Sequence, residues 1–246
     1  MSRRVSDSCT STERGWILSA VVVAALTAGC ETTGNVDPGY VPGSTPDTGL
    51  VLLTVTNDLG PPAPISGVRS GNAARIDFVI RGPGLGKGGL RVSSFVEDSP
   101  FKAFERRRAF DEDVTGQYYV HELPAGRYEV QTWSIVVNHG IGYLDVWPRT
   151  PPPPLAFDVV AGSVIYLGNL HGTLRFGKML GFPRAESGRP EVRDAAERDL
   201  GLILADYPQL EGRVTISLLP LGPWGSDEVK TSFTAYDLDL YVPIEK

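Results

Sequence analysis

Leu123-Pro124-Ala125-Gly126-Arg127-Tyr128-Glu129-Val130 is the stretch on which the reading of this chain turns. Pro124 and Gly126 occupy the second and fourth positions of a tight turn, where a preset φ and a missing side chain are favoured. Beyond the turn, Tyr128 and Val130 fall on one face and Arg127 and Glu129 on the other, the period of a half-buried strand. Two strands joined by a short turn therefore define the local unit.

The same punctuation recurs on both sides. Leu50–Thr56, Arg75–Arg81, Leu90–Val96, Gln117–Leu123, Arg127–Val137, Gly142–Trp147, Leu155–Val160 and Ser163–Leu170 are rich in β-branched and aromatic residues. Gly, Pro, Asn or Asp cluster between them, as expected of strands separated by turns. Leu155, Phe157 and Val159 share one face of their segment, so Tyr128, Val130, Phe157, Val159, Ile165 and Leu167 are the expected core. Pro151–Pro154 cannot donate ladder hydrogen bonds and reads as a stiff connection. Short strands at these intervals predict a mainly-β fold, an antiparallel β-sandwich.

One segment breaks the β pattern. Asp194 and Glu197 have the spacing of a capping box, and Ala196, Leu200, Ile203 and Tyr207 recur at helical spacing until Pro208. This predicts a single amphipathic helix covering one sheet or the sandwich end. Arg213–Leu219 and Ser232–Val242 read as two further strands. Residues 50–246 are thus expected to form one sandwich domain that includes the helix, long enough to be held by an apolar core.

Two hairpins carry a family resemblance. The "LPxGxY" run of Leu123, Pro124, Gly126 and Tyr128 is followed by Phe157-Asp158-Val159-Val160-Ala161-Gly162-Ser163-Val164-Ile165-Tyr166-Leu167-Gly168. Together they resemble the carboxypeptidase-regulatory-like (prealbumin-like) β-sandwich of uncharacterised bacterial lipoproteins. The resemblance spans roughly Gln117–Leu170 and implies a fold and a location. It implies no activity, because a sandwich hosts many functions.

The N-terminal residues carry the clearest functional signal. Arg3, Arg4 and Arg14 precede the apolar run Trp16–Ala25, which leads into Leu26-Thr27-Ala28-Gly29-Cys30. A basic start, a short apolar stretch and small residues before a cysteine read as a lipoprotein signal peptide over 1–29, with Cys30 lipidated, for instance by palmitate. A plain secreted protein and an uncleaved anchor are the alternatives, though the apolar run is shorter than the roughly 20 residues of a membrane span. Glu31, in place of Asp, points to the outer membrane. Residues 30–49 are small, polar and rich in Gly and Pro, and read as a disordered tether. Its 19 residues after Cys30 would span roughly 25 Å.

Charge and cysteine content fit export. The only cysteines are Cys9, inside the expected signal peptide, and Cys30, so no disulfide is expected in the mature domain. Removing residues 1–29 takes away three Arg, one Asp and one Glu, leaving the chain one unit more negative than its formal −6. An acidic balance of this kind lacks the footprint of a nucleic-acid partner.

Candidate chemistry is sparse. Arg81-Gly82-Pro83-Gly84-Leu85-Gly86-Lys87-Gly88-Gly89 evokes a phosphate loop, but Arg81 stands where the first Gly belongs and Gly88 where Ser or Thr does. It reads as a loop between strands. His121, His139 and His171 show no metal-ligand spacing, and no Gly-x-Ser-x-Gly elbow nominates a nucleophile. No cofactor is expected. Phe101–Phe110 interleaves aromatics with Arg106, Arg107 and Arg108, and reads as a solvated turn or a second lipid contact. Trp133, Trp147 and Trp224 are the candidate ligand-contact aromatics, able to stack on sugar rings if exposed. The sequence therefore leads to a non-catalytic, lipid-anchored accessory or protein-interaction module of the bacterial cell envelope. The alternatives are a carbohydrate- or peptidoglycan-binding sandwich and, third, a hydrolase with an unrecognised site.

Overall fold

A computed structural model describes residues 35–58, 74–94, 108–110, 114–138, 142–179 and 182–235, all within the unit Thr32–Lys246. The strands are β1 (Thr48–Asp58), β2 (Ala74–Arg81), β3 (Leu90–Ser93), β4 (Arg108–Ala109), β5 (Thr115–Pro124), β6 (Gly126–Asn138) and β7 (Gly142–Pro148). They continue with β8 (Leu155–Val159), β9 (Val164–Met179), β10 (Phe182–Arg193), β11 (Val214–Ile216), β12 (Gly222–Pro223) and β13 (Val229–Ala235). Helix α1 (Ala196–Asp206) and a 3₁₀ turn (Pro208–Leu210) lie between β10 and β11.

The strands form two facing sheets, a sandwich that does not close into a barrel. One sheet has the order β12-β10-β9-β1-β5-β4, with β11 beside the first residues of β9. The other has the order β13-β7-β6-β2-β3, with β8 beside the first residues of β6. Most pairings are antiparallel, as expected. The exceptions are β1 with β9 and β11 with β9, which run parallel.

The inter-sheet core holds every residue assigned to it from the sequence. Tyr128, Val130, Phe157, Val159, Ile165 and Leu167 are all buried, and Tyr128 stacks on Phe157 at 5.6 Å between centroids. The single proton of the Tyr128 hydroxyl is shared between the carbonyls of Pro124 and Pro83, both at 2.8 Å, tying the deciding turn to the glycine-rich loop. That loop is the β2–β3 connection, and its glycine content has a packing cause. A Cβ on Gly82 would lie 2.2 Å from the Tyr128 ring.

The sheet containing β1 is covered on its outer face as well. Leu50, Leu52, Tyr118, Val120, Val164 and Tyr166 form a second apolar cluster with Ile203, Tyr207 and Leu210. The helix stripe Ala196, Leu200, Ile203 and Tyr207 faces this cluster as expected. Its start differs slightly: Ala195 is the cap residue, and Asp194 lies one position earlier. Asp194 still accepts from the Ala196 N–H at 3.2 Å, while Glu197 is exposed.

Residues 35–47 correct the tether reading. They form a strap rather than a free segment, because their carbonyls and side chains find partners on the domain. The Val36 N–H donates to Val120 O, and the Asn35 side-chain amide accepts from Val120 N–H and donates to Tyr118 O. Asn35 thus imitates a neighbouring peptide group on the edge of β5. Farther along, the Tyr207 hydroxyl donates to Val36 O, and Gln209 Nε2 donates to Pro38 O and Tyr40 O. Val36 and Tyr40 complete the outer cluster, and Pro42 is buried.

Candidate functional site

The most elaborate polar constellation lies on the outer face of the β1 sheet, beyond the apolar patch under α1. Alternation along β1 places Leu50, Leu52, Thr54 and Thr56 on this face. On β9 the phase is reset by a bulge: Leu52 pairs with Tyr166, but Thr54 pairs with Asn169. Gly168 takes the left-handed conformation there, with φ 110°. The extra residue keeps Tyr166, Asn169 and His171 on the outer face while Leu167 and Leu170 stay in the core. Without it, His171 would point between the sheets.

The hydrogen bonds of this face have one direction, set by Asp199 in the first turn of α1. Its carboxylate is fully buried and accepts from Tyr166 Oη at 2.6 Å and from Thr54 Oγ1. Arg198 Nε donates to its other oxygen at 2.8 Å. Because an ionised carboxylate only accepts, the Thr54 proton is committed to it. Thr54 must then accept from Asn169 Nδ2, at 2.6 Å, which turns Asn169 Oδ1 toward Thr56. Thr56 donates to that oxygen at 3.0 Å, so His171 Nδ1–H donates to Thr56 at 2.9 Å. The neutral imidazole is therefore the Nδ1–H tautomer, and its Nε2 lone pair is buried without a partner among the described residues.

Electrostatics keep these groups in those states. Burial, reinforced by the charges of Arg193 and Arg198, lowers the His171 pKa to about 3, so the ring is neutral at ordinary pH. Burial, and then the adjacent Asp199 charge, pushes the Tyr166 hydroxyl far up, and it remains a donor. A buried carboxylate needs several partners to offset lost hydration, and Asp199 has them on three residues. Arg198 also lies 5.2 Å over the Phe110 ring, a cation–π contact that closes this corner. Glu122 forms a smaller site under the strap. Burial raises its pKa, but hydrogen bonds from Thr48, Tyr40 and Thr45 outweigh that and hold it below the ordinary value.

The other candidates fall in different places. Trp133 and Trp224 are core residues, 1% and 4% exposed, so neither offers a face to a sugar ring. Trp224 stacks on Phe78 and donates to Pro153 O, anchoring the proline connection. Trp147 is half-buried on β7. His121 stacks on Tyr119, and His171 sits inside β9, which continues through Gly172. Cys30, His139 and Phe101–Arg107 lie outside the described residues. Among the described residues, no group of three or more His, Cys, Asp or Glu is placed to hold a metal ion.

Sequence reasoning did not single out Asp199, and it weighed His171 only as a histidine without metal-ligand spacing. Asp199 carries a charge within an amphipathic pattern, and His171 faces outward only because of the bulge. The one available sign was Gly168 within an otherwise apolar strand, a common mark of a bulge.

No family model and no curated protein matches the chain. Among solved structures, a leucine-rich repeat protein from Bacteroides thetaiotaomicron is similar at 13% identity and a TM-score of 0.26. That similarity covers 51% of this chain and 14% of the other, too little to carry an argument about fold or function.

Proposed function

We propose that the protein is a lipid-anchored accessory module of the bacterial cell envelope, held at the outer membrane through Cys30 and acting by protein interaction rather than catalysis. The observation that carries the anchor is the run from Arg3 to Cys30, basic, then apolar, then small, ending in a cysteine. One structural feature supports a binding role. Among the described residues β13 stands at the end of its sheet and is exposed from Lys230 to Thr234, with Phe233 49% accessible. Edge strands of this kind are templates for added strands.

The finer kinship with the carboxypeptidase-regulatory-like sandwich belongs to the same proposal. It is supported by the meeting of its two hairpins, where Tyr128 stacks on Phe157. The glycan-binding alternative retains only Trp147, and no feature of the described residues favours it over the interaction role.

Anchoring is tested by Cys30→Ser. The variant should leave the membrane fraction and lose the acyl mass, since each buried lipid CH₂ contributes about 0.8 kcal/mol. Unchanged fractionation with an unchanged N-terminal mass would defeat the proposal. Photo-crosslinking from Lys230 in intact cells should capture a discrete envelope protein, and capture of glycan alone would favour the alternative.

A further inference from the structure

The strap changes what a lipid at Cys30 would do to the folded body. If residues 30–49 were free, the domain would wander roughly 25 Å from the bilayer. The chain is already held at Asn35, however, whose amide is hydrogen-bonded to Tyr118 O and Val120 N–H on the β5 edge. Val36 adds a backbone bond to Val120, and Tyr207 holds Val36 O at 2.7 Å. From Cys30 to Asn35 the chain has five Cα steps, at most about 18 Å when fully extended.

Resting on the lipidation of Cys30 proposed above, we infer that the strapped β5 edge is a membrane-apposed surface and that its partner is the lipid bilayer. The opposite edge then faces away. From the strap, the order β5-β1-β9-β10 crosses four strand spacings, roughly 19 Å. The chain entering β13 lies beside β10, since Gly188 N–H donates to Asp227 O at 3.3 Å. The exposed edge of β13 is consequently turned toward the aqueous side, where an envelope partner can reach it.

Covalent geometry, and not headgroup attraction, sets this orientation. The exposed charged residues of the strap and of the turn after α1 are Asp37, Asp47 and Glu211 against Arg213. These residues gain nothing from anionic lipid, so the apposition they define should be insensitive to salt and to lipid charge, and any part that salt removes would belong to Arg108 on β4, beside Gly116 of the same edge.

The mature chain has no cysteine besides Cys30 once residues 1–29 are removed, so a single introduced thiol can be labelled uniquely. Asp37→Cys on the strap and Lys230→Cys on β13 are both exposed positions. Each full-length variant, purified from membranes with its acyl mass verified, is labelled and placed in vesicles carrying nitroxide headgroups. Quenching at position 37 should exceed that at position 230 several-fold, with or without 0.5 M salt. Inserting about 15 Gly/Ser residues between Gly34 and Asn35 should erase the difference, because a flexible spacer of that length adds roughly 20 Å of reach. Equal quenching in acylated protein would overturn the orientation and leave the anchor standing. Absence of the acyl mass would overturn the anchor, and the orientation with it.

Discussion

Along β1, Val51, Leu53 and Val55 enter the core between the sheets, whereas Leu50, Leu52, Thr54 and Thr56 face α1 and its surroundings. The inner side chains meet Phe78, Ile80, Trp133 and Ile135 in a core cluster whose attraction is non-directional. The outer face begins the same way and then becomes a chain of donors ordered by one carboxylate. On the inner face volume decides, and many apolar sequences would serve. On the outer face each proton has one place to go, so a change at one end is felt at the other.

The largest effects should be equal in size and different in kind. Phe157→Ala leaves a cavity beside Tyr128 and should cost about 3–5 kcal/mol, with Phe157→Leu recovering much of it. Asp199→Ala strips the acceptor from Thr54, Tyr166 and Arg198 and should also cost about 3–5 kcal/mol. Asp199→Leu, of greater apolar volume, should recover little, because the donors stay unpaired. Urea denaturation of the four variants checks this. If Leu rescues position 199 as well as it rescues 157, the outer face is ordinary packing and the directed chain has no energetic meaning.

Tyr166→Phe sharpens the point within one residue. The ring stays in the outer cluster while the hydroxyl's bond to Asp199 and its contact with Thr54 are lost, so the cost should be about 1.5–3 kcal/mol, the range for hydrogen bonds to charged groups. Tyr128→Phe, whose lost bonds go to the neutral carbonyls of Pro83 and Pro124, should cost nearer 1 kcal/mol. The reverse order in thermal or chemical melts would place the stronger polar demand on the inner face.

This contrast also explains what the sequence disclosed. The alternation of Tyr128 with Val130, and of Leu155, Phe157 and Val159, is a direct imprint of the inner core. So is the helix stripe, because burial against a sheet repeats at a fixed period. β10 was not anticipated for the opposite reason: Pro183, Gly188 and Pro190 interrupt any strand pattern. The strand tolerates them near the sheet's end, where its outer side carries only isolated bonds among the described residues, Gly188 N–H to Asp227 O and Trp224 N–H to Pro190 O, beside the short β12 pairing at Glu191 and Val192. The strap left no pattern at all. Its contacts run through Asn35 and carbonyls such as Pro38 O, and nothing in a Gly/Pro-rich composition marks them. At the candidate site the individual residues were visible as types, but their convergence depended on the Gly168 bulge.

The pH dependence of stability separates the faces by another route. His171 is neutral in the fold, with its pKa lowered to about 3 by burial and by Arg193 and Arg198, against an ordinary value of 6.5. Between those values the unfolded chain binds a proton that the folded one does not, so stability rises with pH. The contribution is fully present above about pH 6.5 and is lost as pH falls toward 3, with a slope of at most about 1.4 kcal/mol per unit. His171→Asn keeps a donor toward Thr56 and removes the titration. The difference between wild-type and variant stability curves should therefore be flat above pH 7 and slope below it. A flat difference at every pH would mean that the imidazole is solvated and that the outer seam is open to water.

The smallest effect tests where the outer layer ends. Asn35→Ala removes two hydrogen bonds to the β5 edge but leaves Val36, Tyr40 and the Tyr207 and Gln209 contacts in place. Bonds between neutral groups near solvent contribute about 0.5–1.5 kcal/mol each, and water replaces part of what is lost. A loss of about 1 kcal/mol is expected, with faster amide exchange confined to Tyr118–Val120. Exchange measured residue by residue distinguishes two kinds of strap. Local loss at β5 alone means that Asn35 closes an edge and the rest of the strap is independently held. Loss spreading through Tyr207 and Leu210 means that strap and helix open as one unit. A lipid pulling on Cys30 would then act on the whole outer layer while the core between the sheets stayed shut.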